Sequence, residues 1–193
     1  MMKNGERGCQ FNTNAINKIG AIRRIALLRA TTSGRPYHKI KGGNKIMSDN
    51  IKNEVLNYLK NHLYGNLASI NSSDPKQPHA TTIAYVNDGF NLYFTTSVKT
   101  QKFANLEKNP NVAMTVDNDE PDWMKLTGLQ IEGTIEIVKE QQIPPVFGMY
   151  AEKFPIIKGF PPNPEYRFLK ITPKKIWLID YTKGFGHREY LEL

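Results

Sequence analysis

Apolar and polar positions change rhythm several times along this chain, and each change predicts an element. Ile51, Val55, Leu56, Leu59 and Leu63 recur with the helical period up to Gly65, and Ser48 or Asp49 stands where a helix cap belongs. Residues 67–70 read as a short strand. Residues 79–86 and 90–96 then read as two strands around Asn87-Asp88-Gly89, a hairpin signal that predicts antiparallel pairing. In the second of them Phe90, Leu92 and Phe94 point one way and Asn91, Tyr93 and Thr95 the other. A short helix follows from Thr100, with Phe103 and Leu106 on one face, until Asn109-Pro110 stops it. After a strand at 112–116, the longest alternation sets Leu129, Ile131, Gly133, Ile135 and Ile137 against Gln130, Glu132, Thr134 and Glu136. Gly133 in mid-strand marks a bulge, a corner or a close approach of other groups. A second amphipathic helix spans 141–154, its Pro144 and Pro145 tolerated only in the first turn. Two last strands, 166–171 and 175–181, complete about seven strands and three helices, which predicts a small antiparallel barrel with helices outside it.

Charge divides the chain at about residue 46. The first 46 residues hold ten Lys and Arg against a single acid, Glu6, whereas the rest holds 16 basic and 17 acidic residues. The formal charge of +8 therefore belongs to the leader, and the nearly neutral body gives no support to nucleic-acid binding. Residues 1–46 are expected to form a disordered basic extension and residues 47–193 the folded domain. An Arg-rich targeting segment or a short membrane-surface helix through Ile19, Ile22 and Ile25 are the alternatives for the leader. The lone cysteine, Cys9, also lies there, which excludes disulfides and thiol nucleophiles from the body. The apolar run Ile25-Ala26-Leu27-Leu28 is too short for a signal core or a membrane span, so a cytoplasmic protein without membrane contact is expected.

The stretch with the most chemistry is 91–116. A strand there ends in the hydroxyls of Thr95 and Thr96, and the helix after it opens with Thr100 as N-cap between Lys99 and Lys102. Cations at a helix start oppose the backbone dipole unless an anion sits there, so this arrangement points to a phosphate site.

In order and spacing, His79-Ala-Thr-Thr-Ile-Ala-Tyr-Val86, Asp88-Gly89, Leu92-Tyr-Phe-Thr-Thr-Ser97, Thr100-Gln-Lys102, Asn105-Leu106, Asn109-Pro110 and Ile131-Glu-Gly133 resemble the FMN-binding split-barrel family that includes pyridoxamine 5'-phosphate oxidases. The resemblance covers roughly residues 53–181. It implies a six-stranded antiparallel Greek-key split barrel, mainly β with flanking helices, that forms a homodimer with FMN at the interface. Carried over, Thr100 and Lys102 fall at the phosphate end, Thr95 and Thr96 approach the flavin, and His79, Thr81 and Thr82 lie on the strand lining it; Lys99 and Gln101, beside them at the helix start, are further cofactor-binding candidates. Gln130 is a candidate for the edge of the ring. The chain departs from the oxidases proper: it lacks their arginine and lysine on the strand matching 81–85, their glutamine near Gly128, and their closing Arg-Leu-x-Pro. Fold and FMN carry over, but pyridoxamine oxidation does not.

The resemblance thus implies an FMN-dependent oxidoreductase with an unidentified small organic substrate, whose cofactor carries the chemistry. No triad or carboxylate pair stands out, and no catalytic residue is assigned. The alternatives are a flavin- or haem-binding stress or storage protein, or a haem-degrading enzyme on the same scaffold. His62, His79 and His187 have no metal-ligand spacing. His62 is expected at the surface and His187 in a mobile tail, from which it reaches a haem only in the alternative reading. Trp177 is assigned to packing, and Trp123, beside acidic residues, to a lid or interface.

Overall fold

The structure is a computed structural model that describes residues 45–193; the leader expected to be a disordered basic extension lies, up to residue 44, outside them. Helix α1 (Lys45–Asn61) turns Ile51, Val55 and Leu59 into the core. It is already helical at Lys45, upstream of the expected caps. Asp49 instead pairs with Lys52 one turn on, at 3.6 Å.

Strands β1 (Tyr64–Ile70), β2 (Pro78–Ala84), β3 (Val86–Asp88), β4 (Asn91–Ser97), β5 (Asn111–Asp117), β6 (Thr127–Ile137), β7 (Tyr166–Asp180) and β8 (Arg188–Glu192) form one sheet. All its pairings are antiparallel. Its order is β2-β1-β5-β6-β7-β4-β3, with β8 also on β7. Ile83 of β2 and Phe94 of β4 belong to distant strands in this order, yet they share one core with Val55, Leu129 and Ile131, so the sheet curls around it. Helix α2 (Gln101–Lys108) contributes Phe103 and Leu106 to that core. Helix α3 (Ile143–Lys153), with prolines in its first turn, covers the opposite face of β4 by packing Val146 and Tyr150 on Tyr93. The molecule is thus mainly antiparallel β with flanking helices, the split-barrel class expected.

Eight strands rather than the seven of the sequence pattern arise from local departures: one strand splits, two merge and the tail adds one. The segment 79–86 is not one strand, and most of it does not pair with β4. It breaks at Tyr85, whose amide donates to Leu63 O (3.2 Å) and whose buried hydroxyl donates to Leu59 O (3.0 Å). Before the break β2 pairs with β1, and after it only Val86–Asp88 pair with β4, across the Gly89 turn. Gly89 has φ +54°, as a tight hairpin requires. Residues 166–181, expected as two strands, run as the single strand β7. The tail expected to be mobile forms β8.

That tail is fastened by charge. Lys183 Nζ lies 2.8 Å from Glu54 Oε2 on α1, 3.0 Å from Glu189 Oε1 on β8 and 3.6 Å from Asp180 Oδ2. Burial tends to raise Asp180 and Glu189, but hydrogen bonds from Thr182 and His187 and the Lys183 charge hold both below their usual values. Burial tends to lower Lys183, but Glu54 and Glu189 more than offset it and raise it. The depressed carboxylates contribute stability that is complete above the unfolded carboxylate value, about pH 4.3, and is lost as pH falls through the folded values. The raised lysine contributes stability that is complete below about pH 10.4 and is lost above it. Lys183→Met is expected to lower stability by about 1 kcal/mol at pH 7, discounted because the side chain is 36% exposed. It should also flatten the acid limb of stability against pH. Urea unfolding across pH reads both effects, and an unchanged curve would deny the cluster any role.

Candidate functional site

The hydroxyls at the start of α2 are largely committed to the protein itself. Thr100, in extended conformation, caps the helix: the Phe103 amide donates to its Oγ1 (3.3 Å), and that hydroxyl donates to Ser97 O (2.9 Å). Thr96 Oγ1 stands 3.1 Å from Thr100 Oγ1; because the Thr100 proton is directed to Ser97, Thr96 is the donor between them. Thr96 is 4% exposed and faces inward. Thr95 faces the other way and donates to Arg167 O (3.2 Å). Lys99 is ion-paired with Glu165. What this end of α2 presents to a ligand is therefore Lys102 and the amides of Gln101 and Lys102, which precede the first intrahelical bonds. Burial lowers the pKa of Lys102, and no opposite charge among the described residues offsets it.

Helix α2 packs on β1, and β2 lies beside β1 in the sheet. Cross-strand partners share a face, and His79 pairs with Ser69 and Thr81 with Leu67, both buried. His79 and Thr81 thus point inward, toward the side that α2 covers. His79 Nδ1 and Thr81 Oγ1 are both buried and have no hydrogen-bond partner among the described residues.

Asn105 joins α2 to β1. The most buried polar residue described, at 0% exposure, it donates from Nδ2 to Ser69 Oγ (3.1 Å). Its Oδ1 accepts from Ser72 N (2.8 Å) and Gln101 Nε2 (2.8 Å). Asn105 entered the sequence reading only as part of a motif; two residues past Phe103 it does not share the Phe103–Leu106 face of α2, so no local signal marked it as buried.

Thr82 and Gln130 are not part of this cluster. Thr82 lies on the outer face of the sheet and donates to Asn66 Oδ1 (3.0 Å). From there an in-register row runs Thr82, Asn66, Thr115, Gln130, Trp177, Tyr190. Gln130, Thr115, Trp177 and Arg188 line a groove of about 250 Å³ on that face. Trp177, read from sequence as packing, is half-buried there, 5.4 Å from the Tyr190 ring. One copy of the chain therefore assembles His79, Thr81, Thr96, Thr100, Gln101 and Lys102 around α2 and β2, and sets Thr82 and Gln130 on the outer face.

His187, placed by sequence in a mobile tail, is held at 3.0 Å from Glu189 Oε1 through Nε2. His62 is half-buried, stacked on Tyr58 at 3.8 Å with Nδ1 against Tyr58 O. No cluster of metal ligands occurs among the described residues, and no described helix is long and apolar enough to cross a membrane.

Comparison with known proteins agrees with this architecture. Residues 51–180 match the family model described as pyridoxamine 5'-phosphate oxidase. The chain belongs to that family, within its split-barrel class. General stress protein 26 of Bacillus subtilis (strain 168) is 35% identical over 69 residues, which are 36% of this chain and 47% of that protein. The match thus spans about half the length of that relative. The crystal structure of General Stress Protein 26 from Bacillus anthracis superposes with a TM-score of 0.55 at 22% identity, covering 74% of this chain and 98% of that one. A heme binding protein from Mycobacterium smegmatis gives 0.61 at 12% identity, covering 73% and 56%.

Proposed function

We propose that the protein is an FMN-dependent oxidoreductase acting on a small organic substrate in the cytoplasm, with FMN held where two copies of the chain meet. The observation that carries this reading is the pair of buried atoms His79 Nδ1 and Thr81 Oγ1, unpartnered among the described residues, on the strand beside the one that α2 packs on. Native proteins rarely leave such atoms without a bond. With Lys102 half-buried at the start of α2 and without a counter-ion among the described residues, they suit a phosphorylated polyol. In this reading Lys102 and the first-turn amides of α2 hold the phosphate, and His79 and Thr81 hold the ribityl hydroxyls. The outer groove of the other copy, with Gln130, Trp177 and Arg188, takes the ring. This accounts for site residues being split between two faces of one copy. Bound flavin supplies electron or hydride transfer at its ring, and the protein contributes binding and orientation.

The first test is the absorption spectrum of the protein as purified, with identification of whatever heating releases. Flavin bands and released FMN are expected; a colourless protein that takes up no FMN on titration would overturn the reading. Light scattering should return a dimer.

Haem binding is the second reading, favoured by the relative whose name states it. Glu189 engages only Nε2 of His187 and leaves Nδ1, the way a carboxylate orients a metal-ligating imidazole, so the imidazole suited to ligate iron is that of His187. Under this reading a Soret band appears on adding haem and disappears in His187→Ala. If no band forms, haem is excluded.

A further inference from the structure

We infer that Asn105 is a positioning residue that sets the phosphate end of the proposed flavin site, by holding the start of α2 on β1, the strand that pairs with β2. The inference rests on the flavin reading for the identity of the ligand, but its geometry is independent of that ligand. One amide side chain ties together three segments: Ser69 on β1, the Ser72 amide in the loop leading to β2, and Gln101 in the first turn of α2. Ser69 is the cross-strand partner of His79, and Gln101 adjoins Lys102. Asn105 thus spans the two halves of the site through a bond on each side, although it carries no free polar group of its own. Gln101 Nε2 also reaches Ser72 Oγ (3.2 Å) and Lys108 Nζ donates to Ser72 O (3.1 Å), so the loop is fastened to α2 at both ends of the helix. The Asn105–Ser69 bond adds a tie to β1, the strand that pairs with the one carrying His79 and Thr81. Its function is the separation between the cation at the start of the helix and the polar pair on β2.

A merely structural asparagine and a positioning one differ in what they do to ligand selectivity. FMN and riboflavin share ring and ribityl chain and differ in the phosphate. In Asn105→Ala the affinity for FMN is expected to fall about tenfold, while that for riboflavin changes less than about threefold, since one to two hydrogen bonds' worth of alignment is lost at one end only. Ser69→Ala removes the acceptor of the Asn105 amide with minimal risk to folding, and should shift selectivity the same way by about threefold. Circular dichroism and thermal melting establish that both variants fold.

A second measurement reads the same place without flavin. Titrating the ligand-free protein with inorganic phosphate should move the backbone amide NMR signals of Gln101, Lys102 and Phe103 in the wild type, and much less in either variant. Equal losses for FMN and riboflavin, or unchanged FMN affinity with unchanged phosphate shifts, overturn the positioning role. If the wild type takes phosphate at α2 but not FMN, the flavin reading fails while the positioning role is still decided by the variants. If the wild type takes neither, both fail.

Discussion

Lys102→Ala is expected to weaken FMN binding about 10- to 150-fold, corresponding to about 1.5 to 3 kcal/mol for a charge-assisted hydrogen bond to a phosphate. The size follows from the surroundings of the lysine. The ammonium is partly removed from water, enough to lower its pKa, and no described carboxylate compensates. It sits in the first turn of α2, where amides without intrahelical partners add partial positive charge. An anion there satisfies both, and truncating the side chain leaves only the amides to hold it. Lys99→Ala provides the contrast: Lys99 is exposed and ion-paired with Glu165, so its loss should change FMN affinity less than about threefold. Fluorescence titration measures both variants. Equal, small effects would move the phosphate away from α2.

The two lysines also show how far the sequence reached. Residue type and spacing at 99–102 pointed to an anion at the helix start, and both lysines were included because each lies near it. What separates them is a long-range contact: Glu165 lies just before β7, far along the chain, and no local pattern pairs it with Lys99. The same limit explains the threonines. Thr96 and Thr100 were read as ligands because hydroxyls suit phosphate, and a cap was legible at Thr100. That the two hydroxyls satisfy each other depends on how β4 turns into α2. Alternation correctly put Gln130 on the face opposite Leu129 and Ile131, but which strands flank it was not legible, so its neighbours Thr115 and Trp177 were missed. Likewise Asn87-Asp88-Gly89 marked a true hairpin without disclosing that Tyr85 ends the pairing three residues from the turn. Patterns of period and turn chemistry are local and could be read; pairing partners and hydrogen-bond exchange between distant segments could not.

Gly133 is where a local signal anticipated a tertiary contact, and Gly133→Val should be strongly destabilising. Along β6 and β7, Glu132 faces Lys175 and Gly133 faces Pro173, so Lys174 is an extra residue on β7 and the register shifts there. Pro173 has no amide to donate, and a bulge accommodates it within a long strand. The bend separates the part of β7 that pairs with β4, Tyr166–Ile171, from the part that pairs with β8, Lys175–Ile179. A Cβ at residue 133 would stand 3.0 Å from Pro173 Cα and closer still to the Thr172 carbonyl oxygen. Both are backbone atoms of the strand that the sheet turns on, so they cannot yield as a flexible side chain would. Valine should cost about 3 kcal/mol, which for a folded body of this size lowers Tm by roughly 6 to 12 °C. Thr134→Val, one residue on and half-exposed on the other face, should stay within about 0.5 kcal/mol. Urea and thermal unfolding of the pair decide it. If Gly133→Val melts with the wild type, β7 yields at Pro173 more readily than a backbone contact allows, and the bend is not held by close packing on β6.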